Sequence, residues 1–176
     1  PSRYAALGEG QAISGVLDEV RAVSQALTGL GYRVTALALT PPLSEVRARL
    51  MALDTDPVFN LFEGFDGCPE TEAEVARIME ELGLRFTGSP SSAIALAQNK
   101  AQAKQALLAH GLPTPDYQVL LPETLCQLRL SFPCIAKPLG EDASHGISAN
   151  SVVHDRQGLE RQVRSLYRAY GGATLV

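Results

Sequence analysis

Long apolar runs are missing from this sequence, and that absence is the first constraint on it. No stretch approaches the roughly 18 consecutive apolar residues that suggest a membrane-crossing helix, which argues against a membrane span. No secretory leader opens the chain either. Basic clusters are also missing. The 15 Lys and Arg stand against 19 Asp and Glu, for a formal net charge of -4. With no basic run, a nucleic-acid or anionic-membrane surface is not expected. Cysteine is scarce: Cys68, Cys126 and Cys134 are odd in number, far apart and without zinc spacing. They read as buried or incidental thiols in a reducing compartment rather than a disulfide framework, and the expected location is the cytoplasm.

What is present is an ordinary globular composition, 45% hydrophobic and 19% charged over 176 residues. That length suffices for one large domain or two small ones with real cores. The chain opens on Pro1 rather than methionine and closes on A-T-L-V (173–176), which looks like the inside of a strand, so both ends read as cuts.

Taken in order, residues 3–7 suit a short strand. Apolar residues at Ile13, Val16, Leu17, Val20, Val23, Ala26, Leu27 and Leu30 mark an amphipathic helix over 13–30. Residues 33–39 alternate as a strand, and Ser44 can cap a helix running to about 53. Residues 57–62 are a short buried strand, 71–82 a helix stopped by Gly83, and 85–87 a small strand. Helix and strand alternate three times, which predicts an α/β layer with a mostly parallel sheet. Ligands gather beyond the carboxyl ends of such strands. That makes Asn60, Glu63 and Asp66 candidates, although loop carboxylates are ordinarily solvated.

A boundary falls near 88–98. Ser91 or Ser92 caps a short helix to 97, and a second helix runs over 100–110. Pro113 and Pro115 force an extended entry into 117–121, and 123–130 is a weak helix. Asp155 caps a helix to about 170, with Leu159, Val163, Leu166 and Tyr167 on one face, and 173–176 is a final strand. The sheet of this second part is expected to be antiparallel in character.

The stretch F-P-C-I-A-K-P-L-G-E-D-A-S-H-G-I-S (132–148) sets an apolar strand before Lys137. Pro138 then stops regular pairing, a loop of small and polar residues follows, and 147–153 alternates again. A lysine at a strand end facing such a loop is a workable phosphate grip, because a point charge and backbone N–H groups converge on the oxygens. Taken alone, the stretch fits a hairpin with a solvated lysine equally well.

Three motifs occur together: G-S-P-S-S-A-I-A-L-A-Q-N-K-A-Q-A-K (88–104), G-L-P-T-P (111–115), and F-P-C-I-A-K-P with E-D-A-S-H-G-I-S. In this order and spacing the chain resembles the D-alanine–D-alanine ligases of the ATP-grasp superfamily, from about residue 58 to 176. The resemblance implies an α/β fold with a pre-ATP-grasp parallel-sheet domain over 1–90. The first ATP-grasp subdomain, a small α+β unit, would follow over 91–176 and end before the adenine hinge and the metal-binding lobe. It implies that Lys100 and Lys137 contact the phosphates of ATP. The loop from Gly140 to Gly146 would fold over the triphosphate, with Ser144 donating to it. The implied reaction makes an acyl phosphate from one amino acid, which the amine of a second then attacks. Ser144 and Glu63 are the candidate catalytic residues. No metal ligand is expected within the chain, because the family's magnesium ligands and acyl-phosphate arginine lie in the second ATP-grasp subdomain. The chain alone is therefore expected to be inactive. Members of that family often pair, which leaves a homodimer open.

Three departures concern amino-acid recognition. Ala143 stands where the family has the first of two serines, Glu63 stands in place of a histidine, and no glutamate around 13–19 matches the one that meets the substrate ammonium. Lys104 reads as surface, since it shares a helical face with Lys100. His110 and His154 carry no functional expectation, while His145 sits in the loop, where a ring could cover nucleotide, although exposed loop histidines are mostly incidental. An ATP-grasp ligase with a different amino-acid acceptor stays open, as does a non-catalytic binding module of the same fold.

Overall fold

Short elements dominate the architecture. The computed structural model describes residues 10–54, 57–65, 68–141 and 144–176, with backbone alone for 10–14. Residues 3–7, read above as a strand, lie outside these, as do Asp66, Asp142 and Ala143. The chain divides into two compact units, Pro1–Ala95 and Leu96–Val176.

In the first unit, helix α1 spans Gly10–Gly29. Its apolar stripe is narrower than the sequence suggests. Val16, Val20, Val23 and Leu27 are half-buried, whereas Leu17 and Leu30 stay exposed. Residues 33–39 do not form a paired strand. Alternation supplies the side-chain pattern of a strand but not a hydrogen-bonding neighbour, and among the described residues none is provided. Leu37 and Leu39 pack on the core all the same. Helix α2 (Leu43–Met51) starts from Pro42, so Ser44 lies inside the first turn and caps nothing. Strand β1 is only Pro57–Val58, paired in parallel with β2 (Arg85–Phe86). Helix α3 (Thr71–Glu81) buries Val75, Ile78 and Met79 against Val46 and Leu50 of α2.

Charge closes the outer side of this unit. The Arg47 guanidinium donates to Glu81 at 2.6 Å, and Arg77 reaches Glu74 and Glu81 along α3. Helix α4 spans Ser91–Gln98. Ser91 is its first residue rather than its cap, and the Ser91 N–H and hydroxyl both donate to the Glu80 carboxylate at 2.8 and 2.6 Å. These Ser91 bonds lower the Glu80 pKa, the side-chain one most, and the Arg47 hydrogen bond lowers that of Glu81. Because both folded values are depressed, the stabilisation is present above the ordinary glutamate range. It is lost as pH falls through the lowered values. The Glu80→Gln, Glu81→Gln double variant should therefore flatten the acid limb of stability in this unit. Hydrogen exchange along α3 between neutral pH and pH 3 checks this, and an unchanged slope would refute it.

In the second unit, α5 (Lys100–Ala109) precedes β3 (Val119–Leu120). The weak helix expected over 123–130 is a single 3-10 segment, Pro122–Gln127. Strands β4 (Cys134–Ile135) and β6 (Val152–Val153) pair antiparallel. Strand β5 (Lys137–Pro138) and β7 (Thr174–Leu175) also pair antiparallel, in the order β3-β7-β5. The alternation over 147–153 therefore yields a strand only at its end. Pro138 does not stop pairing, since it lies opposite Thr174. An edge strand tolerates it because antiparallel bonds alternate. Leu139 donates to Ala173, and the proline position needs no donor toward β7.

Helix α6 (Arg156–Tyr170) is capped by Asp155, whose carboxylate accepts from the Gly158 N–H at 2.7 Å, and it ends at Gly171 in the left-handed conformation. Leu159, Val163 and Leu166 are buried against Leu120, Ala136, Val153 and Val176. Tyr167 does not join them, being 43% exposed, and Tyr170 packs on that core instead.

Candidate functional site

The chain around Lys137 alternates in burial. Ala136 and Pro138 are buried on the core side, whereas Ile135 is exposed and Lys137 half-buried. A period of two thus turns Lys137 away from the core. Two residues on, the Leu139 carbonyl accepts from the Lys100 N–H at 3.2 Å. The Lys100 ammonium donates to the carbonyl of Glu141. Lys100 is the first residue of α5, and the Asn99 side chain accepts from the N–H groups of Ala101 and Gln102, both at 3.1 Å. The donors that a helix start normally leaves open are therefore engaged within the protein. Positive charge for an anion must come from the lysine side chains rather than from a bare helix end.

The structure thus brings Lys100, the end of β5 and Glu141 together. Gly140 is exposed, and a Cβ there would meet nothing closer than the Gln98 carbonyl at 3.9 Å. Its value is an uncovered backbone, not a required absence of side chain. Ser144 is exposed and left-handed, with φ of 61°. The Ile147 N–H donates to the Ser144 carbonyl at 3.0 Å. With Gly146 at φ 71°, this is a turn of type II character in which the third residue needs a positive φ. His145, inside that turn, is only 8% exposed. Gly146 is packed rather than open: a Cβ there would lie 2.7 Å from the Tyr170 ring and 2.8 Å from Pro138.

The first-unit candidates have separate local settings. The Asn60 N–H donates to Thr87 Oγ1 at 3.0 Å, and its side-chain oxygen accepts from the Phe62 N–H at 3.2 Å. That makes it a turn former. Glu63 is exposed, in a loop whose Phe62 and Phe65 rings stand edge-to-face at 5.0 Å. Thr71 fastens this loop, accepting from the Phe65 N–H and donating to the Cys68 carbonyl.

Lys104 is not a free surface residue. It donates to Thr114 Oγ1 at 2.6 Å and to the Pro115 carbonyl at 2.9 Å, and it lies 5.1 Å from the centre of the Tyr117 ring. The G-L-P-T-P motif is therefore the anchor of this lysine, a pairing that side-chain spacing along α5 alone does not signal. All three cysteines are free thiols, and burial pushes the Cys134 pKa up. A shallow cleft of about 310 Å³, lined by Pro122, Glu123, Arg164, Tyr167 and Arg168, contains none of the expected site residues. Among the described residues no group of three or more His, Cys, Asp or Glu is arranged to hold a metal. No described helix is long and apolar enough to cross a membrane.

No protein-family model matches the chain. A curated D-alanine–D-alanine ligase of Pseudomonas putida is 35% identical over 130 residues, covering 72% of this chain and 39% of that protein. The chain is a homologue of the D-alanine–D-alanine ligases. A second such ligase, from Syntrophotalea carbinolica, is 30% identical over 149 residues, covering 84% of this chain and 46% of its own length. The chain thus spans less than half the length of these relatives. The crystal structure of D-alanine–D-alanine ligase from Helicobacter pylori superposes with a TM-score of 0.56 at 28% identity, over 67% of this chain and 35% of that one. The L-amino acid ligase from Bacillus licheniformis gives 0.53 at 27% identity, over 76% and 28% respectively. The mixed α/β architecture with small sheets is that of part of an ATP-grasp ligase.

Proposed function

We propose that this chain is part of an ATP-dependent carboxylate–amine ligase that joins two amino acids, and that its second unit supplies a grip on the nucleotide phosphates. The observation that carries the reading is the convergence of the start of α5 on the end of β5, where the Lys100 N–H meets Leu139 and its ammonium meets Glu141. This places one lysine of the paired motifs at the segment that leaves the other. In this reading residues 1–90 form the pre-ATP-grasp domain and 91–176 the first ATP-grasp subdomain.

Chemically, the γ-phosphoryl group of ATP passes to the carboxylate of the first amino acid, giving ADP and an acyl phosphate. The amine of the second attacks the acyl carbon, and phosphate leaves as the amide forms. The lysine ammonium groups offset negative charge on the phosphates, while the exposed Gly140 backbone and the Ser144 hydroxyl donate to their oxygens. Magnesium would accompany the nucleotide and neutralise further charge. Its ligands are proposed to come from outside this chain, as the family resemblance implies, and the chain alone is expected to release no phosphate. If the substrate is D-alanine, the product serves cell-wall precursor synthesis in the cytoplasm, and a homodimer stays open as the assembly.

A second acceptor class has its own support. The similarity to an L-amino acid ligase, with Ala143 and Glu63 at two positions that depart from the D-alanine pattern, favours an ATP-grasp ligase with a different amino acid. Phosphate release by the full-length gene product with Mg-ATP, across a panel of D- and L-amino acids, tests both. Release dependent on D-alanine supports the first and release with another amino acid the second. No release with any acceptor overturns the ligase reading in favour of a binding module.

A further inference from the structure

We infer that Asn99 is a positioning residue for Lys100, an inference that rests on the phosphate-grip reading above. Asn99 holds the extended N-cap conformation, and its side-chain oxygen takes the N–H groups of Ala101 and Gln102. Its own carbonyl accepts from Ala103 at 2.9 Å. Lys100 is therefore the residue enclosed by this cap, and its remaining N–H is committed to Leu139. Leu139 lies two residues beyond Lys137, so the same bond ties the start of α5 to the strand that carries the second lysine.

The direction of a side chain on the first helical residue follows from the dihedrals that the cap imposes. Here that direction delivers the Lys100 ammonium to the Glu141 carbonyl. Without the cap the first turn frays, and Lys100 is the residue whose dihedrals are released. An ordinary helix cap contributes stability alone. This one also fixes the origin of a five-bond lever whose far end must meet phosphate oxygens.

The structure supplies its own control. Asp155 caps α6 by the same kind of bond, to the Gly158 N–H, and is not among the residues assigned to the site. In the full-length gene product, Asn99→Ala and Asp155→Ala should each lower the melting temperature by no more than roughly 2–4 °C. Asn99→Ala alone should raise the KM for Mg-ATP and lower kcat, together costing about tenfold or more in kcat/KM. Asn99→Ser, a neutral residue that caps equally well, should restore both constants. Wild-type nucleotide constants in Asn99→Ala, or the same kinetic loss in Asp155→Ala, overturn the positioning role. A wild-type protein with no Mg-ATP binding overturns the phosphate-grip reading itself.

Discussion

Lys137→Ala in the full-length gene product should weaken Mg-ATP binding about tenfold to a hundredfold and depress phosphate release at least as much. The estimate follows from roughly 1.5–3 kcal/mol for a hydrogen bond to a charged group, converted at about 1.4 kcal/mol per decade. Lys137 is half-buried and turned from the core by its place between buried Ala136 and Pro138. Its loss should therefore leave the fold intact. Lys137→Arg keeps the charge but replaces a compact ammonium by a planar fork, so it should recover part of the affinity and less of the rate. Titration calorimetry with ATP and ADP checks the binding, and a melting curve checks the fold. Unchanged nucleotide affinity in a folded Lys137→Ala protein would remove Lys137 from the phosphate grip and leave the hairpin reading of this stretch in its place.

The helices were the most legible part of the chain, because their ends carry chemistry that acts locally. Asp155 and Gly171 bound α6 as their types suggest, and Asn99 starts α5. The face of α6 was less legible at its end. Leu159, Val163, Leu166 and Tyr170 complete the series i, i+4, i+7, i+11, which is the narrower apolar stripe, and Tyr167 lies beside it.

Strands were harder to read, because pairing is not a property of one segment. Residues 33–39 have the alternation without a described partner. The short segment 134–138 is divided between two different sheets, β4 with β6 and β5 with β7. For the site, the pair Lys100 and Lys137 came from the family resemblance, and the meeting of Lys100 with the segment after Lys137 is visible only in the fold. The commitment of Lys104 to Thr114 and Pro115 was not readable either, since it depends on how the G-L-P-T-P segment folds back toward α5. The tight packing of Gly146 was equally hidden, because nothing in the run S-H-G-I indicates that a ring from α6 closes over it.

That packing gives the second large effect. Gly146→Ala should destabilise the second unit by about 2–4 kcal/mol, combining roughly 1–3 for overpacking with about 1 for a left-handed non-glycine residue. The added methyl would lie 2.7 Å from Tyr170 Cε2, 2.8 Å from Pro138 Cγ and 3.1 Å from Leu166 Cδ2, on a backbone of φ 71°. Pro138 cannot swing aside without disturbing β5, so relief must come from α6 or from the turn itself. Gly171 separates the two contributions: its φ is 73°, and a Cβ there meets nothing within 4 Å. Gly171→Ala should therefore show the conformational cost of about 1 kcal/mol alone. Urea unfolding of the two variants measures the difference. If they prove equally stable, the turn holding Ser144 is not pinned by α6. If Gly146→Ala is much the weaker, α6 fixes the end of the segment that is proposed to cover the phosphates. The same variant should then lose nucleotide affinity in a protein that is still folded, because displacing Gly146 displaces Ser144 two residues before it.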